Sequence, residues 1–397
     1  MTRLALVVAT VLSALSTLDA AEPAFRSARP IWPKGRETEM NLSVGFRATF
    51  DWPGGEVDGV VLRATGASIY RAWVNGEFVA HGPARGPHGH YRLDQWNVGP
   101  KLRQGKNVVA VEVAGYNANS YYLLDQPSFL QAEVAVGDRV LASTGGDGER
   151  FVALPLDYRL QKVQRYSFQR PFIEAYRLAP GFDAWVRDPA AKVGGVELAE
   201  QPHKPLLDRG VPLPEFAVKL PRALAGAGGV EPRTSVDGLW KDRSLTNVGP
   251  KLKGYPEKDL ERVVSTELQQ IVSRPVPNWT VPPGDVVTRV LLKQGAYQIL
   301  DFGANLTGFP GARISCTKKA RVALTFDEIL TGGDVDFKRL GCVNAICYDL
   351  APGVYRIESM EPYTFRYLKL IALEGDCEFD AFALRELAHP EPRGARF

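Results

Sequence analysis

The chain has 397 residues, enough for two or three domains that each bury a core. Its 48 basic and 45 acidic residues nearly cancel, and no basic block stands out, which removes the electrostatic case for nucleic acid or an anionic membrane surface as partner. Glycine (38) and proline (29) are plentiful, aromatic residues make up 10%, and short β-branched runs recur, a balance that favours an all-β, turn-rich protein.

Residues 1–21 read as a secretory signal. Met1-Thr2-Arg3 supplies a positive start, residues 4–18 are apolar apart from small hydroxyl side chains, and Ala20 and Ala21 offer a cleavage site. The apolar stretch is short for a membrane span, and no later run is long enough to cross one. The mature protein is therefore expected in the periplasm or outside the cell. Residues 22–40, rich in proline and charge, form an extended lead-in.

A first β-domain is expected over 41–187. Strands are predicted at 60–64, 68–74, 77–80, 107–113 and 130–136. Asn75-Gly76 marks a hairpin, because a type I′ turn needs positive φ at both central positions. Regular short spacing with turn residues between strands indicates a sandwich or jelly roll. Residues 188–283 read as a connector with few strands. Pro202, Pro205, Pro212, Pro214 and Pro221 interrupt regular structure, 223–229 is a low-complexity Ala/Gly loop, and the spacing of Leu260, Val263, Val264, Leu268, Ile271 and Val272 predicts one short helix over 259–272. A second β-domain is expected over 284–387, with strands at 286–292, 296–302, 312–316, 321–326, 353–358 and 365–373, followed by a tail over 388–397. Alternating polarity gives each strand one buried face.

Cys316, Cys342, Cys347 and Cys377 all lie in the last third. Export permits disulfides, and four cysteines allow three pairings. Cys342 and Cys347 are close enough in sequence to close a loop, which makes them the candidate bridge; buried free thiols are the alternative. The cysteine spacing does not fit paired knuckles and no histidine lies between Cys316 and Cys377, which argues against a zinc site.

Glycoside hydrolysis needs two carboxyl groups flanking a bond. Asp327-Glu328 is the obvious acidic pair, but adjacent residues on one strand face opposite sides of the sheet. His81, His88 and His90, with Asp94 near, offer imidazoles for a transition metal, although ordinary exposed loop histidines are the favoured reading. No Gly-x-Ser-x-Gly elbow occurs. No cofactor or metal is expected. Sugar binding uses aromatic faces with polar side chains beside them. Tyr116, Asn117, Asn119, Tyr121 and Tyr122 form such a cluster after a strand, and Arg85, His90 and Tyr91 lie in another long loop. These eight are the candidate carbohydrate site; the alternative is that the tyrosines pack one domain against the next. The run 165–172, rich in Arg and aromatics, is read as packing.

Two sets of motifs carry a family resemblance. In the first domain they are Tyr70-Arg71-Ala72-Trp73-Val74-Asn75-Gly76, His81-Gly82-Pro83-Ala84-Arg85-Gly86 and Leu102-Arg103-Gln104-Gly105-Lys106-Asn107-Val108, which resemble a galactose-binding-like jelly roll. In the second they are Asp301-Phe302-Gly303-Ala304-Asn305-Leu306-Thr307-Gly308-Phe309, Val322-Ala323-Leu324-Thr325-Phe326-Asp327-Glu328-Ile329-Leu330 and Met360-Glu361-Pro362-Tyr363-Thr364-Phe365-Arg366-Tyr367-Leu368. In this order they resemble the concanavalin-like β-sandwich that leads into the catalytic barrel of bacterial α-L-rhamnosidases, of the glycoside hydrolase family 78 type. The resemblance covers roughly two thirds of the mature chain. It implies two joined β-sandwiches and a rhamnose-containing glycan or glycoside as ligand. In that family the helical barrel with the catalytic carboxylates follows this segment, whereas the sequence here ends at Phe397, so no residue inherits a catalytic role. The expectation is an exported accessory, carbohydrate-binding portion, with a separate catalytic barrel chain as a possible partner. A self-sufficient glycosidase with an unrecognised site and a structural cell-surface module are the alternatives.

Overall fold

The computed structural model describes residues 24–277 and 287–391. The expected signal peptide, the start of the predicted strand 286–292 and most of the C-terminal tail lie outside them. Among the described residues helices are short, and none is long and apolar enough to cross a membrane. The architecture is two β-sandwiches.

The first sandwich has a five-stranded sheet in the order Val152–Pro155, Leu42–Trp52, Gly105–Gly115, Ile69–Val74, Glu77–Gly82. Its hairpin turns at Asn75-Gly76, whose φ values of 53° and 80° are both in the left-handed region. The facing sheet runs Glu149–Arg150, Arg139–Ser143, Phe129–Val136, Val60–Ala67, Tyr91–Asn97, Leu206–Asp208. Alternate side chains of both sheets meet in one core, with Val44, Phe46, Val60, Leu62, Val111, Val113 and Val134 out of contact with water. The lead-in contributes more than an extended tether: Ile31–Pro33 pairs with Leu198–Glu200 and touches Phe129–Val136.

The second sandwich is one sheet of eleven strands bent into two layers. Its spine is Ala296–Cys316, a single strand where sequence patterning predicts two strands and a Gly-rich turn. Residues Tyr297 to Asp301 pair with Tyr363–Glu374, the register slips between Asp301 and Leu306, and the strand continues beside Gly353–Glu358 and Cys377–Glu386. A bulged corner of this kind lets one strand belong to both layers. Asp301 holds it, accepting from the Gly303 amide at 2.6 Å and from Arg366 at 2.8 Å.

Tertiary pairing overrides local propensity in the connector. Ala223–Pro232, read as a loop, is a strand between Ala296–Cys316 and Ile271–Pro275. Its small residues are what the position requires: a Cβ on Gly228 would strike the Arg274 carbonyl and the Tyr297 ring. The predicted helix contracts to Val264–Gln269, because residues beyond it join the strand Ile271–Pro275 and Glu261 bonds back to Lys162. Leu206–Asp208 instead extends the first sandwich. The chain also crosses over before the expected boundary at 187: Glu174–Leu178 pairs in parallel with Ala345–Leu350 of the second sheet.

All four cysteines are free and buried, so Cys342 and Cys347 are not joined. Cys347 is packed in the sandwich core, where burial pushes its thiol up to about 12. Cys342 sits in the preceding loop with its Sγ facing the Leu340 carbonyl.

The two sandwiches meet across buried charge. Arg71 and Glu112 are direct cross-strand neighbours in the first, joined Nε to Oε2 at 2.8 Å, and Arg159 reaches the other carboxylate oxygen at 3.2 Å. Arg71 also donates to the carbonyls of Glu358 and Ser359 in the second sandwich, each at 3.0 Å. Burial alone would raise the Glu112 carboxyl, but the two guanidinium charges overcome it and hold Glu112 ionised, below its ordinary value. Replacing Glu112 with Ala would remove the carboxylate that two buried cations share. The expected cost is about 3–5 kcal/mol of folding stability, read from urea unfolding. A loss under about 1 kcal/mol would mean that this network does not hold the sandwiches together.

Candidate functional site

A cleft of about 1160 Å³ opens where the two sandwiches meet the connector. Its walls come from the 83–92 loop and the 120–126 loop of the first sandwich, from Arg209 to Pro214, and from Glu361 and Pro362 of the second. None of these segments is near another in sequence; the folds above bring them together.

Tyr122 and Glu361 form the polar centre. The Tyr122 hydroxyl donates to Glu361 Oε1 at 2.8 Å. Glu361 is only 4% exposed, and its backbone is fixed from below. The buried Glu174 carboxylate accepts from the Met360 amide at 2.9 Å, the Glu361 amide at 3.0 Å and the Tyr363 hydroxyl at 2.9 Å. Arg170 lies 4.0 Å from Glu361 Oε2 and donates to the Pro362 carbonyl at 2.7 Å. Burial raises the Glu361 carboxyl above its ordinary value despite Arg170 and Tyr122. Burial and the neighbouring Glu361 together push the Tyr122 hydroxyl well up, so it stays a donor.

The remaining lining is neutral or cationic apart from Glu391, on the segment from Leu387 to Glu391 that closes one side. Arg85 places its guanidinium 4.9 Å from the centre of the Tyr122 ring, a cation–π stack at the cleft surface. Tyr91 donates to Gln126 at 3.1 Å and packs edge-on against Phe129. Arg209 is tied to the buried Asp94 at 2.5 Å, and Asp94 also accepts from Tyr70 at 2.6 Å. His81 is on the strand Glu77–Gly82, not in the loop with His88 and His90, and its ring packs on Phe309. Burial and the Arg71 charge lower it to about 3, so it is a neutral imidazole at any working pH. His88 and His90 are exposed, and His90 Nδ1 lies 3.1 Å from the His88 carbonyl. Among the described residues no group of three or more potential metal ligands comes together.

Of the residues predicted from sequence, Arg85, His90, Tyr91, Tyr121 and Tyr122 line this cleft. Tyr116, Asn117 and Asn119 do not. Tyr116 is buried in the core shared by the sandwiches. Asn117 adopts a φ of 45° and ties its side chain to Glu39 and Ser128, as a turn residue does. Asn119 donates to the Lys251 carbonyl and accepts from the Asp125 amide. Sequence reasoning passed over Glu361 and Arg209. A charged residue between Met360 and Pro362, inside one of the tracts that carry the family resemblance, is the signal that marks Glu361. Asp327 and Glu328 do not line the cleft. The strand ends at Asp327, so the two carboxylates do not face apart: both bind Arg339.

Among solved structures the chain is similar to rhamnosidases. A family 78 rhamnosidase of Bacillus sp. GL1 superposes with a TM-score of 0.73 at 17% identity, over 91% of this chain and 55% of that one. This chain has the fold of about half of a family 78 rhamnosidase. The α-L-rhamnosidase of Aspergillus terreus matches with a TM-score of 0.53 at 15% identity, over 91% and 36% of the two chains. That of Streptomyces avermitilis, solved in complex with L-rhamnose, matches at 0.50 and 16%, over 89% and 29%. The chain thus spans about half, or less, of the length of these rhamnosidases. No family model and no curated protein matches it by sequence.

The Glu361 environment is testable through pH. A free glutamate titrates near ~4.3. Because burial raises the folded value, the folded state holds this proton more tightly than the unfolded chain. The resulting stability is complete below about pH 4 and is lost as pH rises through the folded value. The stability of the native protein minus that of Glu361→Gln is therefore expected to shrink between about pH 4 and neutrality in urea unfolding. A pH-independent difference would show that the carboxyl titrates normally.

Proposed function

We propose that this protein is an exported carbohydrate-binding portion of a rhamnosidase-type glycoside hydrolase system, which holds a rhamnose-containing glycan or glycoside in the cleft while catalysis is supplied elsewhere. The observation that carries this reading is the cleft itself. It sets a stacked Tyr122–Arg85 pair beside a buried carboxyl, so apolar sugar C–H faces meet a ring and sugar hydroxyls meet both donors and an acceptor. The rhamnosidase fold gives that chemistry its context. A binding role is favoured over hydrolysis because the acidic pair Asp327 and Glu328 is neutralised by Arg339 away from the cleft, while Glu361 is committed to Tyr122 and Arg170. A separate catalytic barrel chain would complete the system.

Calorimetric titration of the purified protein with L-rhamnose and a rhamnose-containing oligosaccharide tests this. Saturable binding is expected, weakened about tenfold or more by Tyr122→Ala, with an aryl α-L-rhamnoside left intact. Absence of saturable binding in a folded sample would remove the reading. Turnover that persists through purification and is lost in Glu361→Gln would replace it with a self-sufficient hydrolase.

A further inference from the structure

We propose that the cleft is an extended site that takes a chain of sugar residues, with Tyr121 and Phe168 forming a stacking platform for the outer sugars. This rests on the reading of the cleft as a saccharide site and goes further by naming an oligosaccharide as its ligand. Three observations carry it.

The first is size. At about 1160 Å³ the cleft exceeds the ~300–1,000 Å³ that encloses a drug-sized ligand, and one sugar ring is smaller than such a ligand. A monosaccharide at Tyr122 and Glu361 would leave most of the volume to water.

The second is the disposition of the aromatics. Tyr122 turns inward to Glu361, while its neighbour Tyr121 turns outward at the rim with 74% exposure. Phe168, 39% exposed, meets Tyr121 edge to face at a centroid distance of 5.2 Å and an interplanar angle of 79°. Polar groups therefore mark the inner end and bare aromatic faces the outer end. The two rings are too small a patch for a stable protein interface, which buries roughly 800 Å² on each partner. They suit the apolar face of a sugar continuing out of the cleft.

The third is preorganisation. Arg165 is fully buried and spends its donors on backbone carbonyls alone: Asn119 at 2.7 Å, Arg170 at 3.1 Å, Ser167 at 3.2 Å, Leu252 at 2.8 Å and Lys253 at 2.9 Å. It locks the bases of the loops that carry Tyr121 and Phe168. The Tyr121 amide then bonds directly to the Gln169 carbonyl at 3.2 Å. The rings are thus held in water in a fixed relation, which lowers the ordering cost of binding.

Titration of the full-length protein with L-rhamnose and its di- and tetrasaccharides is the test. Affinity is expected to rise with length. The Tyr121→Ala/Phe168→Ala double variant should lose about five- to tenfold more of its tetrasaccharide affinity than of its monosaccharide affinity. Tyr121→Trp should retain tetrasaccharide binding. Both positions are exposed, so the native melting temperature is expected in each variant. Equal affinity for all lengths, or a double variant that binds the tetrasaccharide normally, would overturn the extended site while leaving the cleft a saccharide site. Failure of every saccharide to bind would remove both.

Discussion

The arrangement depends on buried charge that must be satisfied. Glu112, Arg71 and Arg159 are buried, and so is Glu174 beyond them. A lone buried charge costs far more than folding can spare, so each group has to find its partner in the finished structure. Arg159 links the two halves of the network, since its guanidinium lies 5.5 Å from the Tyr176 ring and Tyr176 donates to Glu174. Arg71 grips the carbonyls of Glu358 and Ser359, and Glu174 grips the next two amides. The segment 358–361 is therefore held from both sandwiches, which sets where Glu361 enters the cleft.

The spine strand Ala296–Cys316 gives the second constraint. Its corner at Asp301 folds one sheet into two layers, and Arg366 neutralises the carboxylate there. The motif that carries the family resemblance in this domain is thus an architectural device. The cleft is assembled from loops of both sandwiches, and the motif tracts that reach it supply Arg85 from one and Glu361 from the other. This division is expected where a rigid β-scaffold presents loops for binding.

Inside the cleft the chemistry is that of hydrogen bonding more than of charge. His81 is neutral, Tyr122 keeps its proton, and burial disfavours the ionised form of Glu361. Arg209 is paired with Asp94. Donors and acceptors beside aromatic faces suit a polyhydroxy ligand, which offers both hydroxyls and C–H surface.

Much was legible in the chain itself. Period-two alternation marked the strands around Val60, Val108 and Leu130, because one buried face leaves that imprint directly. Asn75-Gly76 announced its hairpin, since few residues tolerate positive φ. Tyr122 and Arg85 announced a polar-aromatic surface. Other features had no local signature. Nothing near Gly228 says strand, because the demand for a missing side chain comes from Tyr297, about seventy residues away. Tyr116 and Tyr121 look alike in sequence, yet one is core and the other rim, because a side chain's direction depends on what the opposite layer offers. Glu361 belongs to the site only because Glu174 and Arg71, more than 180 residues earlier, clamp its backbone. Local composition and periodicity determined the β-class and the candidate loops, whereas long-range pairing and the burial of charge decided which residues share the cleft.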